Sequence, residues 1–123
     1  MRRVSAGRDG ESRAAAYLEA CGLTIVARNI RSFCGEVDLV ALEGQTLVFV
    51  EVKAWSAYSF ESLSYGIGRQ KQRRIIETAK YFLSVHREYN SMAVRFDVVF
   101  INPAAAPDSG AITHLRAAFT ETL

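Results

Sequence analysis

Apolar and polar positions change period several times along the chain, and each change predicts an element. Residues 8 to 21 read as a helix, with Ala14, Ala15, Ala16 and Leu18 as strong formers, Asp9 as its cap and Gly22 as its terminator. From Leu23 to Arg31 the pattern alternates as in a strand, with Leu23, Ile25, Ala27 and Asn29 on one side and Thr24, Val26, Arg28 and Ile30 on the other. Two more strands follow, 35–42 and 46–53, joined at Glu43-Gly44-Gln45, so three consecutive strands predict an antiparallel meander. Residues 54 to 68, with Trp55, Tyr58, Phe60 and Tyr65, hold no regular period and read as a loop. A long amphipathic helix is predicted over 68–89, its stripe made of Gln72, Ile75, Ile76, Ala79, Phe82, Leu83 and His86. Residues 94–101 and 111–119 supply two final strands, separated by a loop from Asn102-Pro103 to Gly110. A strand, a helix and a strand in succession predict a right-handed crossover, with the 94–101 strand parallel to the 46–53 strand.

Three charges interrupt the apolar hairpin at 35–53: Asp38, Glu51 and Lys53. Strand side chains alternate with period two, so Leu47, Phe49, Glu51 and Lys53 share a face. If Gly44-Gln45 is a two-residue loop with Gly at the first central position of a type II′ turn, Asp38 falls opposite Glu51 and Glu36 opposite Lys53. A three-residue loop would separate the acids onto opposite faces. Opposed carboxylates about 5 Å apart repel by about 3 kcal/mol at an effective dielectric of about 20. Three things could offset that: a divalent cation, protonation of one acid, or an ammonium such as Lys53. A salt-bridged exposed strand is the plainer reading, but apolar residues on both faces of 46–53 predict an interior strand. Glu11 lies on the apolar stripe of the first helix, where it serves either as a first-turn acid favoured by the helix dipole or as a third group at this site.

Composition narrows the picture. The chain has 123 residues, half of them hydrophobic, which predicts a single domain over 1–123 with a sizeable core. No secretory signal or membrane-length apolar run is present, so a soluble, cytoplasmic protein with no membrane partner is expected. Cys21 and Cys34 lack metal-ligand spacing and are expected to be reduced, small buried hydrophobes. A net charge of +2 permits nucleic acid without demanding it. Positive charge clusters on the 68–89 helix: Arg69, Arg73, Lys80 and Arg87 fall on one flank of the apolar stripe, and Lys71 and Arg74 on the other. Such a row either tracks a phosphate backbone or keeps a surface helix wet, with Glu77 and Glu88 as neutralising neighbours. His114 has no identifiable acidic or nucleophilic partner in the sequence.

The order helix, three antiparallel strands, helix, strand, with Asp38 in the second strand and Glu51-Val52-Lys53 in the third, resembles the PD-(D/E)XK nuclease superfamily. Further wording resembles the bacterial YraN-type family: Gly10-Glu11, Arg28-Asn29-Ile30-Arg31, Gly35-Glu36-Val37-Asp38-Leu39, Leu47 to Lys53, Lys71-Gln72-Arg73-Arg74 and Arg95-Phe96-Asp97-Val98-Val99. The resemblance implies an α/β, restriction-endonuclease-like αβββαβ core with a central mixed five-stranded sheet flanked by helices, close to archaeal Holliday junction resolvases. It also implies Mg²⁺ or Mn²⁺ held by Asp38, Glu51, the Val52 carbonyl and Glu11, with Asp38, Glu51 and Lys53 as the catalytic set. Arg69, Lys71, Arg73, Arg74 and Lys80 would then contact nucleic acid, DNA rather than RNA, including branched recombination or repair intermediates, and a homodimer would serve two strands. Trp55, Leu63 and Tyr65 depart from the family pattern. A catalytically silent nucleic-acid-binding or scaffold module on the same fold is the alternative.

Overall fold

In the computed structural model, which describes residues 2–54, 67–102 and 112–121, helix α1 (Arg2–Ala20) leads into strands β1 (Thr24–Ser32), β2 (Gly35–Glu43) and β3 (Thr46–Ala54). Helix α2 (Arg69–Val85), a short 3₁₀ turn (Arg87–Tyr89), β4 (Ala93–Ile101) and β5 (Ile112–Phe119) follow. The strands lie in the order β1-β2-β3-β4-β5, antiparallel except for the parallel β3–β4 pair. This is the α/β, αβββαβ arrangement with a mixed five-stranded sheet that the sequence predicts. Among the described residues no helix is long and apolar enough to cross a membrane. The loop carrying Trp55, Tyr58, Phe60, Leu63 and Tyr65, and the segment 103–111, lie outside the described residues.

One helix covers each face of the sheet. Ala14, Ala15 and Leu18 of α1 pack with Leu39, Ala41, Val48, Val50, Val99 and Ile101. Ile75, Ile76, Ala79 and Phe82 of α2 pack with Val40, Leu47, Phe49, Val98 and Phe100 on the other side. β3 is central and carries a helix on both faces, so Leu47 through Glu51 are all buried. Helix α1 ends as Gly22 predicts: at φ +98° it lets the Leu23 N–H bond the Leu18 carbonyl at 3.0 Å and its own N–H bond that of Glu19 at 3.0 Å. Leu23 and Leu18 then meet in the core, completing a Schellman motif.

Several expectations need correction. Asp9 is no cap, because α1 begins seven residues earlier, at Arg2. Helix α2 stops at Val85, where His86 leaves helical geometry and stacks its ring on Phe82 at 4.2 Å. Cys21 is exposed and Cys34 half-buried, since one follows the last helical turn and the other sits in a hairpin loop. In β1 the predicted alternation fails: the register shifts between Ile25 and Ala27 and Asn29 takes φ +52°. Val26, Ala27 and Ile30 consequently all reach the α2-side core.

Candidate functional site

The β2–β3 turn decides the geometry. Glu43 pairs with Thr46, leaving the two-residue loop Gly44-Gln45, and Gly44 sits at φ +60° as the first position of a type II′ turn demands. The ladder then runs Leu42↔Leu47, Ala41↔Val48, Val40↔Phe49 and Leu39↔Val50, so Asp38 and Glu51 come next in register. At that step the backbone ladder ends. Instead, the Val52 N–H donates to Asp38 Oδ2 at 2.7 Å, and the carboxylate stands in for a strand partner. In an antiparallel pair one residue turns both its N–H and its C=O to the same neighbour, so the Val52 carbonyl faces the same gap.

Two irregularities open that gap. Asn29 lies between the pairs Arg28↔Leu39 and Ile30↔Val37, opposite Asp38, and its left-handed backbone is one that Asn tolerates better than most residues. On β2, Val37 joins Val40 in the α2-side core while Leu39 faces α1, so the alternation slips at Asp38. From the α1 side, Gly10 approaches Val52 closely enough that a Cβ on it would stand 3.9 Å from Val52 Cγ1. The next residue, Glu11, brings its carboxyl up beside Asp38 and Asn29. From the other side Lys71 of α2 sets its Nζ 2.7 Å from Glu51 Oε2.

The electrostatics follow from burial. Glu51 is only 7% exposed. Loss of solvent, and then the neighbouring Asp38, push its carboxyl up to about 7, and the hydrogen bond and charge of Lys71 offset only part of that. Burial also raises Asp38, against the Val52 N–H, and burial with Asp38 beside it raises Glu11. Lys71 loses solvent as well, but its contact with Glu51 prevails and holds the ammonium above its ordinary value. Three acids thus stand together with their carboxyls raised, and Lys71 is the cation beside them among the described residues. The ammonium that offsets the Asp38–Glu51 repulsion is Lys71 rather than Lys53. Lys53 is exposed and makes no ion pair with a described residue, because the strand end carries it past the core. Glu36, expected opposite Lys53, pairs with Arg31 at 3.3 Å.

The basic row on α2 divides. Lys71 belongs to the acidic centre, and Lys80 is held by Glu121 at 2.6 Å and Glu77 at 3.4 Å. Arg69, Arg73 and Arg74 are exposed and make no ion pair with a described residue. Asn29 and the Lys71–Glu51 pair are what sequence reasoning missed. Their only signal was their presence in the Arg28-Asn29 and Lys71-Gln72 wording of the family resemblance.

A second buried acid lies on the far side of β3. Asp97 is fully buried on β4 and accepts from Arg95 Nε at 2.9 Å, Arg95 NH2 at 3.0 Å and the Ala117 N–H at 2.9 Å. His114 Nε2 stands 2.7 Å from Asp97 Oδ2, which supplies the partner that the sequence did not show. A register shift in the β4–β5 ladder, between Phe96 and Val98, lets side chains from both strands converge there. Burial works against the charge of Asp97, yet the His114, Arg95 and Ala117 hydrogen bonds outweigh it and hold its carboxyl at about 2. Arg95 and Arg116 both bond Glu43, tying the end of β5 to the β2–β3 turn.

Fit to a divalent cation rests on the donor set. The buried Glu51 carboxylate, the half-buried Asp38 carboxylate and a strand carbonyl are the hard oxygen ligands that Mg²⁺ and Mn²⁺ take, and a third acid stands alongside. Among the described residues, no three His, Cys, Asp or Glu side chains form a ready-made metal cage, so the Val52 carbonyl and water would complete any shell.

Residues 10–101 match the family described as "Uncharacterised protein family UPF0102". A UPF0102 protein of Treponema pallidum subsp. pallidum is 44% identical over 117 residues, covering 94% of this chain and 92% of that protein. One from Rhodopseudomonas palustris is 44% identical over 120 residues, covering 95% and 84%. Another, from Nitrobacter winogradskyi, is 43% identical over 114 residues, covering 93% and 91%.

Proposed function

The chain belongs to the UPF0102 family, and we propose that its acidic centre is a divalent-cation site for hydrolysis of phosphodiester bonds in nucleic acid, as in PD-(D/E)XK nucleases. The observation that carries this reading is the pair Asp38 and Glu51, the first half-buried and the second buried, with one ammonium among the described residues, that of Lys71, to offset them and Glu51 pushed up to about 7. Acids raised by burial beside a like charge are candidates for a functional site. Mg²⁺ or Mn²⁺ bound there would supply Lewis acidity and a water of lowered pKa.

The chain's own residues divide the remaining work. Asp38 and Glu51 would hold the cation with the Val52 carbonyl, and Glu11 would orient a water from the α1 side. Asn29 beside it favours the charged form of Glu11. Lys53 projects from the same face of β3 as Glu51, beyond the buried part of the strand, where its ammonium meets charge developing on the phosphate. Lys71 neutralises Glu51, and with a cation held by that carboxylate its ammonium would be available to a phosphate oxygen. Arg69, Arg73 and Arg74 offer unpaired charge to the strand on either side of the scissile bond, and DNA, linear or branched, is the expected substrate.

Incubation with linear, flapped and four-way-junction DNA in Mg²⁺ or Mn²⁺ is the test. The expected result is cleavage that Asp38→Ala and Lys53→Ala both abolish; cleavage surviving both substitutions sinks the assignment. A binding-only module is favoured instead by the lack of a three-side-chain cage among the described residues. Titration calorimetry with Mn²⁺ separates the two, because hydrolysis requires a cation site that Glu51→Gln removes.

A further inference from the structure

The hairpin that carries Asp38 into the acidic centre begins at the β1–β2 turn, where Ser32 pairs with Gly35 across the two-residue loop Phe33-Cys34. Phe33 is 99% exposed. Isolated apolar residues on a surface need no explanation, and Tyr81, Val85 and Val94 are of that kind, each with about half its surface covered. Phe33 differs because its loop is fastened and still presents the ring wholly to solvent. The Cys34 N–H donates to Ser32 Oγ at 3.0 Å, and that hydroxyl shares a hydrogen bond of 2.9 Å with Thr78 Oγ1. Thr78 is fully buried in α2, so the turn is tied to the core. Gly35 allows the approach: a Cβ there would stand 3.2 Å from Arg74 Cβ, a tight contact that the glycine avoids.

Charge surrounds the ring. Arg31 and Arg74 line the same shallow pocket as Phe33, Cys34 and Gly35. Glu36 pairs with Arg31, but both side chains are more than half exposed, and such a pair yields readily to a phosphate. Gly35 and Asp38 are three residues apart on one strand, about 10 Å at about 3.3 Å per residue. That is about three nucleotide steps of a stacked strand.

We propose that Phe33 is a stacking prong for an unpaired nucleobase, with Arg31 and Arg74 holding the adjoining phosphates of a strand that runs on to the acidic centre. The substrate class is nucleic acid with unpaired bases (single strands, flaps, open junctions), because a paired base has no free face for the ring. This rests on the nucleic-acid reading above and refines it. Stacking tolerates any base, so the prong selects structure rather than sequence.

The test measures binding in EDTA, so no cleavage is read. The whole protein is titrated into three oligonucleotides containing 2-aminopurine: a single strand, a flap and a blunt duplex. The first two are expected to bind at least about 10-fold tighter than the duplex, with the unpaired 2-aminopurine quenched. Phe33→Ala should lose about 10-fold on the unpaired probes and less than about 2-fold on the duplex, and Phe33→Trp should restore both affinity and quenching. Equal binding by wild type and Phe33→Ala overturns the proposal, as does an equal loss on all three probes. Self-association that depends on Phe33, with DNA binding unchanged, assigns the ring to a second copy of the chain and also overturns it. Failure to cleave DNA in metal would remove the hydrolytic reading and leave this binding result standing.

Discussion

Two aspartates beside the central strand, Asp38 half-buried and Asp97 fully buried, sit in matched settings and end in opposite states. Asp38 and Asp97 flank the central strand, each lies where a ladder loses its regular register, and each accepts a backbone N–H, from Val52 and Ala117 respectively. Asp97 is the more deeply buried, yet its carboxyl is held at about 2 because Arg95 and His114 complete its partners. Asp38 is raised, and what it meets next is not a cation but Glu51, itself at about 7. Burial alone therefore does not set the protonation of an acid; the donors around it decide. Asp97 is a staple between β4 and β5. Asp38 and Glu51 form a centre still short of positive charge.

The largest effect that could break this contrast is at the staple. Asp97→Ala leaves Arg95 and His114 without their buried acceptor, and a loss of about 3–5 kcal/mol in urea unfolding at pH 7 is expected. A loss below about 1 kcal/mol would show that Asp97 is not the structural acid. With Asp97 intact, its depressed carboxyl contributes stability that is present above pH 3.8 and lost as pH falls toward about 2.

Glu51→Gln should act in the opposite direction. A carboxyl raised from 4.5 to about 7 binds its proton more tightly in the folded state, so its penalty is absent below pH 4.5, grows as pH rises to 7, and is constant above. The full penalty is about 3 kcal/mol, with the Lys71 contact already counted in it. Glu51→Gln is expected to be more stable than wild type by about 1–3 kcal/mol at pH 8, with no gain at pH 4, by denaturant titration. A destabilised variant at pH 8 would mean that Lys71 fully compensates the pair.

The smallest effect sharpens the comparison further. Mn²⁺ at about ten times its dissociation constant should stabilise wild type by about 1.4 kcal/mol at pH 8. The gain should shrink at pH 6, where protons compete for Glu51, and vanish in Glu51→Gln. Thermal melts at both pH values read this directly. An equal gain in Glu51→Gln would place the ion elsewhere.

Much of the scaffold was legible because it depends on neighbours in sequence. The two-residue loop at Gly44-Gln45 set the Asp38–Glu51 register, Gly22 ended α1, and apolar residues on both faces of β3 marked it as interior. Helix α1 was harder at its start: the basic, Gly-containing run before Asp9 suggested a cap where the helix was already under way. The alternation in β1 misled for a related reason, since a single register shift moves every later side chain to the other face.

By itself, then, the sequence determined the order of elements, the pairing of the hairpin and the face on which Glu51 and Lys53 lie, all set by local turn chemistry and periodicity. Only the tertiary structure decided which charges meet. Lys71 reaches Glu51 because α2 docks with its first turns over the end of β3, and Asn29 reaches Glu11 because its left-handed backbone stands opposite Asp38. Asp97 and His114, seventeen residues apart, meet because β4 and β5 slip in register between Phe96 and Val98. Periodicity tells which way a side chain points along its own element; helix docking and ladder irregularities set what it finds there.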